Sequence, residues 1–298
     1  MGWKNLIVSN PAKLRLRQNN LIVEQEDIIC IPLDDICSIV FESRECNIST
    51  ALFSALGDKD IAVFFCNEKH IPNGVLLPYS NHSRHPKIVN IQIELSEPFK
   101  KRCWQKIVKQ KIKNQGECLE FMGLPGKETL CNISDKVTSG DINNSEATAA
   151  RFYFSKLFCN FKRGEDTNIN IALNYGYSIL RGAIARTISS YGFIPALGLH
   201  HKSELNSFNL ADDFIEPYRP IVDMWVKKNF KPDETFSSSH KQKIIGLLEY
   251  ECITKGQIVS VRTSIDRVVA SFSSCCTNNN YELLKLPELM PLEVFEYE

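Results

Sequence analysis

At 298 residues the chain is long enough for one large or two ordinary domains, and a composition of 43% hydrophobic and 23% charged residues excludes intrinsic disorder. Thirty-five Lys and Arg balance thirty-five Asp and Glu, so bulk charge gives no argument for a polyanionic partner, which local stripes would have to meet. No apolar run approaches the roughly 18 residues of a membrane helix, and Met1-Gly2-Trp3-Lys4 lacks the apolar core of a signal peptide. A soluble, cytoplasmic chain is expected. The eleven cysteines are odd in number and show no C-x-x-C spacing, which predicts reduced, mostly buried thiols and argues against a cysteine zinc site.

Residues 1 to about 80 read as strands. Leu14, Leu16 and then Leu21-Ile22-Val23 flank Gln18-Asn19-Asn20, which predicts a hairpin turn. Ile28–Ile31, closed by Pro32, Cys37–Phe41 and Ile61–Phe65 are further apolar runs. Ser49 can cap a short helix over Ala51–Leu56 that Gly57 ends. Strands at this spacing predict a β-sandwich-like domain over residues 1–85. Ser80 to Pro86, with two solvated histidines, reads as a linker, which is carried to residue 98.

From about residue 97 the period becomes helical. Arg102, Lys106, Lys109 and Lys113 repeat at i, i+4, i+7 and i+11 on one helix face, which serves as a solvated face or as a stripe tracking phosphates. Residues 123–140 read as loop-rich. Ser145 or Asn144 can cap a helix with Glu146 in its first turn, and Ala147, Ala149 and Ala150 let another element approach that end. Leu173, Tyr177, Leu180, Ile184 and Ile188 form the apolar stripe of a helix over residues 170–190, with Arg181 and Arg186 off it and Gly192 and Pro195 beyond its end. Helices are expected again after Pro220, around Ile244–Cys252 and over Ile265–Phe272. The fold class is α+β, with residues 99–298 an all-α catalytic domain.

The stretch Gly198–Pro220 carries the chemistry. His200 and His201 precede a polar loop, Asn209 can cap a helix from Leu210, and Asp213 and Glu216 share a face of it. Pro217 lacks an N–H and crowds the carbonyl of Asp213, which predicts a kink beside the carboxylates. Imidazole with carboxylates suits a divalent metal. The same residues fit an ordinary acidic helix start with surface histidines, and spacing alone does not choose.

Three runs, taken together, carry a resemblance. They are Asn144-Ser145-Glu146-Ala147 with Ala149–Phe154, then Asn174–Leu180, and last Pro195–His201 through Phe208–Asp213 to Glu216–Pro220. Their order and content resemble the CRISPR-associated integrase of the universal adaptation pair, most of all its type II branch. The resemblance implies a β-rich domain for homodimerisation and a helical domain that catalyses metal-dependent DNA integration. New spacer DNA would enter the repeat array by 3′-OH transesterification, with endonuclease activity besides. It further implies Glu146, His201 and Glu216 as ligands of Mg2+ or Mn2+, and Asp213 as an auxiliary group. His201 is preferred to His200 because the family's histidine lies three residues after a glycine, here Gly198. Ala147 departs from the glycine of many relatives but stays small.

Arg181, Arg186 and Arg219 are candidates for phosphate contacts and Tyr175 for a contact with DNA near the site. Internal ion pairs and core packing are open for the same residues. Expected partners are double-stranded DNA (protospacer and repeat-leader), a second copy of the chain, the small ferredoxin-like CRISPR adaptation protein and the RNA-guided effector nuclease. A DNA-binding scaffold with a structural triad and a structure-specific repair nuclease are the alternatives.

Overall fold

The computed structural model describes residues 4–59, 61–77, 84–158, 161–231 and 234–296. Its first eight strands are β1 (Lys4–Val8), β2 (Lys13–Arg17), β3 (Asn20–Glu24), β4 (Ile28–Pro32), β5 (Ile36–Phe41), β6 (Asn47–Ile48), β7 (Ala62–Cys66) and β8 (Pro72–Val75), with helix α1 (Thr50–Asp58) before β7. They form two four-stranded sheets. One runs β1-β5-β7-β8, parallel except for β8; the other runs β4-β3-β2-β6, antiparallel except for short β6. Gln18 and Asn19 both take positive φ, 48° and 63°, which makes the expected hairpin turn between β2 and β3. Ser49 caps α1 by accepting the Leu52 N–H at 3.3 Å, but the helix runs on through Gly57 to Asp58.

All six residues of β5 are buried, because alternate side chains serve different cores. Ile39 and Phe41 join Leu14, Leu21, Leu52 and Leu56 inside the sandwich, while Val40 joins Phe64 of β7 in the core of the helical domain. A strand covered on both faces reads as an unbroken apolar run, as Cys37–Phe41 does.

The helical domain begins with α2 (His85–Ile93) and α3 (Glu97–Phe121), so residues 86–98, expected as a linker, are mostly helix. Of the segment Ser80 to Pro86, residues 80–83 lie outside the described residues. The axis of the domain is α3, about 37 Å long at 1.5 Å per residue. Around it lie α4 (Lys127–Asp135), α5 (Ser145–Leu157), α7 (Asn209–Ile215) and α8 (Arg219–Asn229), and α6 (Asn168–Ser190) packs on the last two. The first of these occupies the interval expected to be loop, with Leu130 buried against α3. Phe64 docks the sandwich on α6 closely enough that a Cβ on Gly182 would stand 2.3 Å from its Cε1.

The carboxyl-terminal part departs from a purely helical expectation. After α9 (Ser238–Ile245) the chain forms β9 (Tyr250–Thr254), β10 (Gln257–Ser260), α10 (Val261–Asn278) and β11 (Glu288–Val294), the strands making a small sheet in the order β10-β9-β11. Ile244–Cys252 is therefore α-helix to Ile245, a 3-10 turn over Gly246–Glu249 and strand from Tyr250. The β9–β10 hairpin is set by Lys255 and Gly256, both at positive φ, and by β-branched Ile253, Thr254 and Val259. The ten cysteines among the described residues are thiols, most of them buried. No helix of the described residues is long and apolar enough to cross a membrane.

Candidate active site

Glu146 is placed by a cap that the sequence did not suggest. Asn144 is left-handed at φ 52° and makes no side-chain cap; Asp141 reaches forward instead, its two carboxylate oxygens accepting the N–H groups of Ser145 and Glu146, each at 2.9 Å. Glu216 stands where α7 gives way to a three-residue 3-10 turn, Glu216–Tyr218, ahead of α8. This turn is the kink expected at Pro217. It is stitched to α3 by Asn114, whose Nδ2 donates to the carbonyls of Pro217 (2.7 Å) and Pro287 (3.0 Å) and whose Oδ1 accepts from the Leu289 N–H (3.2 Å).

Between the two glutamates stands Lys111 of α3, only 7% exposed. Its Nζ lies 2.6 Å from Glu146 Oε1 and pairs with Glu216 Oε2. Glu216 Oε1 accepts from Arg219 Nε at 2.9 Å, and the Arg219 guanidinium lies 4.5 Å from the centre of the Tyr177 ring. Burial pushes the Glu216 carboxyl up, but Arg219 and Lys111 outweigh it and hold the group down to about 2. For Lys111 burial works against the charge, and Glu216 and Glu146 more than reverse it, so the ammonium sits above its ordinary range. A cavity of about 210 Å3 opens beside the pair, lined also by Gln115, Ala150, Arg163, Tyr177 and Asp223. Asp223 accepts from Tyr153 Oη at 3.0 Å and from Tyr177 Oη, and burial lifts its carboxyl to about 6.

His201 comes from the loop before α7, which Asp213 gathers. That buried carboxylate accepts the N–H groups of Leu199 (2.5 Å), His200 (3.2 Å) and His201 (3.1 Å), and pairs with His201 Nδ1 at 2.8 Å. The wrap is tight: a Cβ on Gly198 would meet His201 O at 2.3 Å and Asp213 Oδ2 at 2.9 Å. Asn209, expected as a cap, lies in the first turn of α7, and its Nδ2 holds the loop through Ala196 O (3.0 Å) and Ser203 O (2.9 Å). Gln92 of α2 ties the approach to the loop through Ile194 and Leu197. The hydrogen bond to Asp213 raises the His201 pKa against burial, and the charge of Glu216 adds to the rise. With Nδ1–H committed to Asp213, the neutral ring carries its lone pair on Nε2. The ring of His200 is stacked on Trp104 at 4.3 Å, while His201 meets the same indole edge-on at 5.6 Å.

The remaining candidates spread over the molecule. Tyr175 does not reach the cavity: it is buried against Phe236 and lies under Lys241, and the tyrosine at the site is Tyr177. Arg181 is held within the chain by Asp212 (2.9 Å) and Asn206 (2.6 Å). Arg186 stands near Cys37, whose thiol burial pushes up to about 12 while the arginine pulls it down. Arg219 is at the site, bound to Glu216. In the basic stripe, Arg102 rests 5.9 Å from the centre of the Tyr281 ring and Lys106 pairs with Glu282 at 3.2 Å. Lys109 and Lys113 line, with Lys106, Lys255 and Lys285, a cleft of about 610 Å3. Lys111 is two residues from each, about 200° around the helix, so cavity and cleft lie on opposite faces of α3.

Among the described residues no three His, Cys, Asp or Glu side chains are grouped to hold a metal ion: the two glutamates close on Lys111, and His201 lines a separate pocket with Lys202 and Asn206. The donor chemistry still fits a hard divalent cation. Two carboxylates aim at one positive charge, and the nearby imidazole is oriented by a carboxylate on its other nitrogen, as metal-binding histidines are.

A β-sandwich docked on a helical domain of this design is the architecture of a casposase bound to integration product (TM-score 0.79, 18% identity, 99% of this chain and 97% of that one). The same architecture occurs in a Cas6-RT-Cas1–Cas2 complex (TM-score 0.70, 18% identity, 94% of this chain and 36% of that one). At 18% identity the likeness is one of fold. The chain belongs to the Cas1 family: the family model for CRISPR associated protein Cas1 matches residues 6–243. It is 42% identical over 305 residues to the CRISPR-associated endonuclease Cas1 of Neisseria meningitidis serogroup C, with all of both chains covered.

Proposed function

We propose that the chain is a metal-dependent DNA integrase of CRISPR adaptation, which joins the 3′-hydroxyl of new spacer DNA to a phosphodiester of the repeat array and also cleaves DNA. The observation that carries this is the meeting of Glu146 and Glu216, from separate helices, on one cation, with the oriented imidazole of His201 close enough to Glu216 to feel its charge. The full-length relative is an endonuclease by name, and the casposase of the same fold is bound to an integration product.

Glu146, His201 and Glu216 would hold Mg2+ or Mn2+, which supplies Lewis acidity to the phosphate and a lower pKa to the attacking hydroxyl. Asp213 sets the tautomer and angle of His201. Arg219 keeps Glu216 ionised and aimed. Lys109 and Lys113, on the far face of α3, take up DNA backbone by replacing its counterions. The exposed Ile28 and Ile29 of edge strand β4 suit a homodimer through the β domain. The small ferredoxin-like adaptation protein is the second partner, in keeping with the Cas1–Cas2 complex of like fold.

The test is strand transfer. The protein and its small partner are incubated with a short duplex and a supercoiled plasmid carrying a CRISPR array, in Mg2+, Mn2+ or EDTA. Metal-dependent covalent joining is expected, reduced at least a hundredfold in His201→Ala with the fold intact. Joining that survives this change but fails in His200→Ala would move the ligand by one residue. Purely hydrolytic products would favour a repair nuclease, and no joining by a correctly assembled complex would favour a scaffold.

A further inference from the structure

Both oxygens of Glu216 are already engaged by cations, Oε1 by Arg219 and Oε2 by Lys111. Each oxygen keeps a second lone pair, but a divalent cation held by Glu146 and Glu216 together would stand where a side-chain cation now pairs with them. Arg219 is the poorer candidate to move: it lies three residues on from Glu216 and is stacked on Tyr177, whose hydroxyl is bonded to Asp223. Lys111 reaches in from a different helix on a flexible four-carbon stem. Its withdrawal would release one oxygen on each glutamate, on the side where the two carboxylates already converge. An ammonium and a divalent cation cannot share that position, since like charges at contact distance in a buried site repel strongly.

The structure also offers the ammonium a second seat. Gln115 follows Lys111 by four residues on α3, so the two side chains are neighbours on one face. It lines the same cavity and is 2% exposed. Among the described residues nothing donates to its Oε1, a buried acceptor. Such an acceptor is unfavourable unless something donates to it in part of the cycle.

We infer that Lys111 is a resident counter-ion of the metal site: its ammonium holds Glu146 and Glu216 together, and a divalent cation enters by displacing it towards Gln115 Oε1. Lys111 is thus a positioning residue that lowers metal affinity while keeping the two ligands in register. This rests on the proposed metal-dependent function.

The test measures Mn2+ binding to the EDTA-treated full chain by electron paramagnetic resonance titration, with far-UV circular dichroism as the check on folding. Lys111→Met, close in size and uncharged, should bind Mn2+ at least tenfold more tightly than the wild type. Gln115→Leu should bind it severalfold more weakly, and this loss should vanish in the Lys111→Met background, because only the lysine uses the acceptor. Equal or weaker binding by a folded Lys111→Met would overturn the exchange. Should that variant fail to fold, reductive methylation of the wild type, read by peptide mass, decides. Lys111 should become several times more reactive with Mn2+ present, and unchanged reactivity would overturn the proposal. If no variant binds Mn2+ and His201→Ala behaves as the wild type does, the metal site itself is wrong, and the inference falls with it.

Discussion

Two faces of α3 carry lysines, and they have opposite fates. Lys111 is buried between two carboxylates, its charge consumed by them. Lys109 and Lys113 open into a cleft with Lys255 and Lys285; Glu288 also lines it, but among the described residues none of these four lysines is ion-paired. Charge inside the protein is worth several times what it is worth in water, and is correspondingly damaging when left alone; charge in an open cleft is screened and is available to a partner. Burial, and not residue type, separates a lysine that organises chemistry from one that attracts polyanion.

The largest effect should come from breaking the buried side. Glu216→Ala leaves Lys111 and Arg219 facing each other without their shared carboxylate. A loss of about 3–5 kcal/mol in urea unfolding is expected, together with loss of metal-dependent strand transfer. In the cleft, Lys109→Ala with Lys113→Ala should change stability by no more than about 0.5 kcal/mol. A Glu216→Ala protein as stable as the wild type would erase the distinction.

Asp223 sharpens it through pH. Its folded-state pKa, about 6, lies above the ordinary 3.8, so its stabilising contribution is complete below the ordinary value and is lost as the pH rises through about 6. The full swing is about 3 kcal/mol. Asp223→Asn should remove that loss, so that its stability relative to wild type improves from pH 4 to about 6 and then levels off in urea titrations; a constant difference would show that the carboxyl is ionised throughout. Gly198→Ala acts on the loop instead. The added methyl collides with His201 O and Asp213 Oδ2, and a loss of about 2 kcal/mol with at least a tenfold slower strand transfer is expected. The smallest effect belongs to the cleft. The Lys109 and Lys113 double change should lower the slope of log K against log salt by about 2 for duplex DNA, with the joining rate at saturating DNA unchanged.

The sequence and the structure agree best where a local rule decides. The Gln18-Asn19 turn, the Ser49 cap and the break at Pro217 all follow from single residues and their nearest neighbours. The apolar runs marked strands but not their burial: Cys37–Phe41 is covered on both faces, whereas Ile28–Ile31 is an exposed edge strand. The site was only half legible. Glu146, His201 and Glu216 stood out, but the cap at Asp141, the clamp of the His201 loop by Asp213, Asn209 and Gln92, and the stacking on Trp104 are long-range contacts with no period. Lys111 had a signal that passed unused: it lies in register with Ile107, Val108, Ile112 and Gln115 on the buried face of α3. A lysine among core positions needs buried counter-charges, and that question leads to the glutamates. For Tyr175, where core packing and a contact with DNA were both open, the structure takes the first: the ring fills the core.

Asn114 gives the last strand a part in the chemistry. One buried amide joins the carbonyl behind Glu216 to the first residues of β11, far beyond the segment matched by the family as a whole. Strand β11 therefore acts as a buttress for a candidate ligand that precedes it by about seventy residues, and removing β11 would loosen the turn that carries Glu216.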